Sequence, residues 1–314
     1  MNDEFTFSGD PSMLMATAAS VGGQDEIPVI DTHVHIWDRT RPQGAPFPPQ
    51  MLYGAATPDV KLGPWYRQYM TPAGIVGAIA VEASPWIEDN LWLLQACEQD
   101  TFLVGAIGNL RPETKEFPEY LDRYQKFPLF LGIRHGNLWG FDIVQQSTDA
   151  AFLAGLKLLA DAGLVLETAN PQLDNMDAVV RISDAVPELT IVITHLAGFN
   201  PPIAALDRYD RVLREIRQRP RIYGKISYLS LYEQDAAPSL DLADHKDKLD
   251  RLTEAFGEDR VVAGAFENRA ETDLRVFREY YSTKPRIVAE KFFWRNSINA
   301  YKWKRREQGQ PEAG

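Results

Sequence analysis

Short apolar runs alternate with longer amphipathic stretches along the whole chain from Ile27 onward. The apolar runs predict strands at Val29 to Thr32, Ile75 to Glu82, Phe102 to Ile107, Leu129 to Arg134, Leu164 to Thr168, Thr190 to Thr194, Arg221 to Ser227 and Arg260 to Ala265. Between them, apolar positions at helical spacing predict helices at Asn90 to Gln99, Ala150 to Ala162, Met176 to Val186, Ile203 to Gln218 and Ala243 to Phe256. Strand and helix repeated eight times predict an α/β fold whose parallel sheet closes into a (β/α)8 TIM barrel. An open doubly wound sheet is the competitor, but the chain lacks the Gly-x-Gly-x-x-Gly that would mark a nucleotide site after an early strand.

Length fits this reading, since 314 residues suit one barrel of about 250 residues plus insertions. The barrel is expected over 27–305, with a flexible leader at 1–26 and a C-terminal tail at 306–314. The leader is small, polar and acidic apart from Met13 to Ala19, and has neither a basic n-region nor a twin arginine. A cytoplasmic location is therefore expected; a periplasmic or exported one would follow only if the leader derives from a signal. Between Arg41 and Pro72, abundant proline, glycine and aromatic residues predict a long ordered loop over the barrel mouth. Its Trp65, Tyr66 and Tyr69 would form a lid or substrate wall, or pack on one another.

Charge and cysteine content narrow the partners. A formal charge of −11 repels nucleic acid and anionic membranes, and no apolar run is long enough to cross a bilayer. A small-molecule substrate remains, with homo-oligomerisation open. The single cysteine, Cys97, excludes a disulfide framework and a thiolate-rich metal site, and reads as a small core residue.

The candidate chemistry lies at the carboxyl ends of the strands, where barrel active sites form. His33 and His35 end strand 1 at i and i+2, so both rings point to one side of a strand. Such a pair can supply two nitrogens to one metal, or two donors to one carboxylate. Glu82 ends strand 2, Arg134 and His135 follow strand 4, Glu167 ends strand 5, His195 follows strand 6, and Lys225 lies in strand 7. His245, in an Asp-rich helical segment, reads as a solvated residue. Zinc or manganese on His33, His35 and Glu167 is one reading, with Glu82 as another carboxylate able to complete the set; a metal-free site polarised by the histidines and Arg134 is the other.

In this order, Ile30-Asp31-Thr32-His33-Val34-His35, Val81-Glu82-Ala83, Gly132-Ile133-Arg134, Thr194-His195-Leu196, Lys225-Ile226-Ser227 and Glu290-Lys291-Phe292-Phe293-Trp294-Arg295-Asn296-Ser297 resemble the amidohydrolase superfamily. The resemblance is to its amidohydrolase-2 branch, which includes sugar-lactone and pyrone-dicarboxylate lactone hydrolases. It implies that His33, His35 and His195 line the site. It also implies that Arg134 binds a substrate carbonyl or carboxylate, a role that suits its fork of donors, although a structural ion pair is the alternative.

Strand 8 departs from the family pattern. Where relatives usually end it with Gly-Ser-Asp-Trp-Pro, whose Asp binds metal and deprotonates water, this chain reads Gly264-Ala265-Phe266-Glu267-Asn268-Arg269. The Asp position is Phe266, and Glu267 would point the opposite way unless a bulge re-aims it. Three functions follow as alternatives. The first is hydrolysis of a lactone or related ester of a small carboxylated or sugar-derived molecule, with His195, Arg134 and Glu267 catalytic, or Glu167 as the base. The second is a lyase or decarboxylase on the same scaffold, and the third a protein that only binds its ligand. Glu82, Trp86, His135, Lys225, Tyr228 and Phe266 are the expected substrate-binding residues, in an aromatic-rich and mostly apolar pocket.

Overall fold

The computed structural model describes residues 26–47, 58–136, 138–169, 171–229, 239–266 and 270–312. Eight parallel strands form one sheet in sequence order: β1 (Val29–Val34), β2 (Ile75–Val81), β3 (Leu103–Gly108), β4 (Phe130–Gly136), β5 (Val165–Ala169), β6 (Ile191–Ile193), β7 (Ile222–Ile226) and β8 (Val261–Ala263). Helices lie between them, and the sheet curls into a nearly closed (β/α)8 barrel as the alternation predicts. All eight expected strands occur within a few residues of their predicted bounds. Among the described residues, no helix is long and apolar enough to cross a membrane.

The seam between β8 and β1 is stitched by side chains. β8 is only three residues long and pairs through its backbone with β7. Across the seam, the Thr32 hydroxyl donates to the Ala263 carbonyl at 2.7 Å, while the Asp31 carboxylate accepts from Ala265 N–H at 2.6 Å and Phe266 N–H at 3.1 Å. Asp31 also accepts from His33 N–H at 2.9 Å and from the Tyr66 hydroxyl. One buried carboxylate thus fixes the ends of the first and last strands together. Burial pushes it up to about 6, against the pull of those donors.

The stretch expected as one loop after strand 1 contains a helix, Gly63–Met70. Pro64 lies in its first turn, where the missing N–H and fixed φ favour a helix start, so a residue read as loop punctuation begins an element. Tyr66 is fully buried, with its hydroxyl on Asp31, and Arg67 pairs with Asp100 at 2.6 Å just before β3. This helix packs against β2, and its Trp65 and Tyr69 rings pack on one another with centroids 4.6 Å apart, the second of the two expectations.

Residues 306–312, expected as a tail, are pinned to the amino-terminal end of β3. Arg306 donates to the carbonyls of Cys97, Asp100 and Leu103, and the buried Gln310 amide donates to Thr101 O at 2.9 Å. Tyr301 is wholly buried with its hydroxyl on Glu167. Cys97 is a core residue as expected, its thiol pushed up to about 12 by burial. His245 is buried rather than solvated, its Nε2 3.0 Å from Ser239 O.

Candidate active site at the barrel mouth

Strand ends bring His33, His35, Glu82, Arg134, Glu167, His195 and Lys225 to the same end of the barrel. The rings of His33 and His35 meet edge to face with centroids 4.8 Å apart, and His195 packs on His33 at 4.6 Å. Non-glycine left-handed backbone at Trp139, His195, Tyr228 and Ala265 (φ 56–59°) clusters at these strand ends, as strained residues do at working sites. That conformation turns the Tyr228 ring onto His195 at 4.6 Å and the Trp139 indole onto Glu82 at 3.1 Å.

Arg134 is buried, with Nη1 3.7 Å from Glu82 Oε1. That is an ion pair too long for a hydrogen bond, and Nε has no partner among the described residues. The carboxylate of Glu82 is held through Oε2 by Ser84 N–H at 3.0 Å and by Trp139. It also lines a small cavity with Trp37, Arg41, Ser84 and Asn109.

Burial, reinforced by cations, keeps the three histidines neutral. Desolvation is the largest cause for each, followed by Lys225 at His33 and by Arg134 at His35 and His195. Burial also lifts Glu82 to about 7, against the pull of Arg134. A carboxyl whose folded value lies above its unfolded 4.5 adds stability that is fully present below pH 4.5 and lost as pH rises through 7. Glu82→Gln removes this dependence. The stability of the wild type relative to the variant is expected to fall by about 2 kcal/mol between pH 5 and pH 8, or roughly 5 °C in Tm. Thermal melts of both proteins across that range check it, and parallel curves would assign the dependence elsewhere.

Several expected residues lie apart from this cluster. On β4, successive residues face opposite ways, so Arg134 turns inward and His135 outward, against Phe141 at 4.7 Å and Phe152 at 4.9 Å. His135 Nε2 lies 2.7 Å from Gln146, and its substrate-binding role is withdrawn. Phe266 is withdrawn too. Left-handed Ala265 breaks the strand alternation, and the Phe266 ring is buried against Phe277 at 6.0 Å, within the aromatic packing that continues to Phe292. Trp86 is 39% exposed, outside the histidine cluster. Glu267, the expected base, lies outside the described residues, as do Asn137 and the end of the loop after Tyr228.

Glu167 and Lys225 form a fully buried ion pair at 2.5 Å. Glu167, expected as a metal ligand, faces Lys225 and Tyr301, with Oε2 4.0 Å from His33 Nδ1. Lys225, expected to bind substrate, is inaccessible to it. On the strand 8 side the inward residue is Gly264, where a Cβ would lie 2.7 Å from Thr32 Oγ1, 3.2 Å from Lys225 Cδ and 3.4 Å from His33 Cβ. Phe47, over His35 at 4.9 Å, is a site wall that the sequence reading missed; an aromatic in a loop gave no signal of its direction.

The described residues do not fit a resident divalent metal. His33 Nε2 and His35 Nε2 converge to 3.1 Å, but no group of three His, Cys, Asp or Glu among the described residues could hold an ion. A lysine ammonium also lies 3.4 Å behind His33, at Nδ1.

A (β/α)8 barrel whose mouth gathers two strand 1 histidines, a strand 6 histidine and a buried arginine defines a class of hydrolytic enzymes. The amidohydrolase family model matches residues 30–264, and the chain belongs to that family. Over 244 residues it is 25% identical to L-fucono-1,5-lactonase of Burkholderia ambifaria, covering 75% of this chain and 79% of the relative. An amidohydrolase from Burkholderia multivorans crystallised with zinc superposes with a TM-score of 0.74 at 19% identity, over 88% of this chain and all of the other. The 5-carboxyvanillate decarboxylase of Novosphingobium aromaticivorans, crystallised with manganese, gives 0.63 at 15% identity over 90% and 97%. Proteins of this fold thus include ones crystallised with a divalent metal.

Proposed function

We propose that this chain hydrolyses a lactone or related ester of a small carboxylated or sugar-derived acid, by attack of water at the barrel mouth and without a resident metal. The observation that carries this reading is the Arg134 guanidinium, buried among neutral imidazoles and without a hydrogen-bond partner for Nε among the described residues. A desolvated fork of donors suits an oxygen that gains charge, first the carbonyl oxygen under attack and then the product carboxylate. His195 is the base. Its Nδ1 is engaged 2.9 Å from the Ser227 hydroxyl, which leaves Nε2 to take the proton of water and return it to the ring oxygen that departs. Glu82 faces the guanidinium and holds it in position.

The lactone chemistry named for the Burkholderia ambifaria relative supports the substrate class. Assay of a panel of 1,4- and 1,5-aldonolactones and carboxylated lactones by proton release tests it. Saturable turnover that persists in the presence of a chelator is expected. Release of carbon dioxide from aromatic carboxylates, with no lactone opened, would replace this reading with the lyase alternative.

A further inference from the structure

The buried polar tier beneath the mouth, Lys225, Glu167 and Tyr301, takes no part in the proposed reaction, yet it carries directional information. An ammonium can only donate. Lys225 Nζ lies 2.5 Å from Glu167 Oε1, 2.7 Å from the Thr32 carbonyl and 3.4 Å from His33 Nδ1, so three acceptors match its three N–H groups. His33 Nδ1 then accepts, and the ring proton of neutral His33 lies on Nε2. That nitrogen is 3.1 Å from His35 Nε2, which must accept in turn. The proton of His35 therefore lies on Nδ1, where the Val81 carbonyl waits at 3.1 Å. Each link is consistent with the next, from Lys225 to Val81.

We propose that Lys225 is a positioning residue that fixes the tautomers of both strand 1 histidines and makes them a one-way hydrogen-bonded pair closed to divalent metal. A metal on His33 Nε2 would need the ring proton moved to Nδ1, against the ammonium. The competing acceptor for such a proton, Glu167 Oε2, is 4.0 Å away, too far for a hydrogen bond. The stem of Lys225 also fills the space beside Gly264, the inward position of strand 8. This inference concerns the imidazole pair alone and holds whatever the substrate.

The test is long-range 1H–15N correlation of the full chain labelled at its histidine imidazoles, near pH 7.5, with zinc content measured on the same samples. Among the five rings, His33, assigned by its loss in His33→Gln, is expected to be protonated at Nε2, and His35, assigned by its loss in His35→Gln, at Nδ1. The wild type should retain less than about a tenth of an equivalent of zinc after exposure and desalting. A proton on His33 Nδ1, or near-stoichiometric zinc that shifts both rings, would overturn the proposal. Should no variant fold, the wild-type spectrum still decides by number, since His135 and His245 add two Nε2-protonated rings and His195 one Nδ1-protonated ring: fewer than three of the first kind or fewer than two of the second would overturn the proposal. In Lys225→Met with Glu167→Gln, which removes both charges together, the His33 proton is expected to move to Nδ1 and zinc retention to rise at least fivefold. An unchanged His33 tautomer in that folded variant would overturn the role given to Lys225.

Discussion

Arg134→Met is expected to lower kcat/KM on the best lactone substrate by about 10²–10³-fold, the scale on which loss of a preorganised oxyanion donor is felt. The expected loss is mainly in kcat, because the donors matter most when the carbonyl oxygen carries charge. Arg134→Lys should recover only part of it, since an ammonium keeps the charge but not the fork. The fold survives because Glu82, already pushed up to about 7, protonates when its partner goes. Steady-state kinetics with a thermal melt of each variant check this. A loss below tenfold with a large drop in Tm would mean that Arg134 is a structural ion pair, the alternative its sequence position left open.

The largest expected effect on stability is at Asp31. Asp31→Ala removes the acceptor for three buried backbone N–H groups, of His33, Ala265 and Phe266, and for the Tyr66 hydroxyl. An orphaned buried donor costs about 1–3 kcal/mol, so the sum is roughly 4 kcal/mol or more and the melting temperature falls by at least about 8 °C. Asp31→Asn keeps the shape and one carbonyl oxygen and should lose less. The wild-type carboxyl, raised from 3.8 to about 6, adds stability that is present below pH 3.8 and lost as pH rises through 6. The deficit of the Asn variant is therefore smaller at pH 8 than at pH 5. Circular-dichroism melts at both values measure it. An Asp31→Ala protein that melts within about 2 °C of the wild type would remove Asp31 from the closure of the seam.

The alternation of apolar runs and helical periodicity was enough by itself to determine the barrel, its eight strands and the convergence of His33, His35, Arg134 and His195 on one end. Parallel strands in sequence order send all their carboxyl ends to the same side, so a residue's place in its strand already implies its place in the barrel. What periodicity leaves open is direction. Whether Arg134 or His135 faces inward depends on the register of β4, and the ring of Phe266 turns away only because Ala265 adopts a left-handed backbone. The helix Gly63–Met70 hid behind a proline that starts it.

Tertiary structure alone decided the partners. Lys225 meets Glu167 from 58 positions away, and Thr32 meets Ala263 across 231. Tyr301 reaches Glu167 across 134. No local pattern encodes those distances, because they arise only when the strands close around a common interior. There, loss of solvent makes each charge depend on which neighbour it meets.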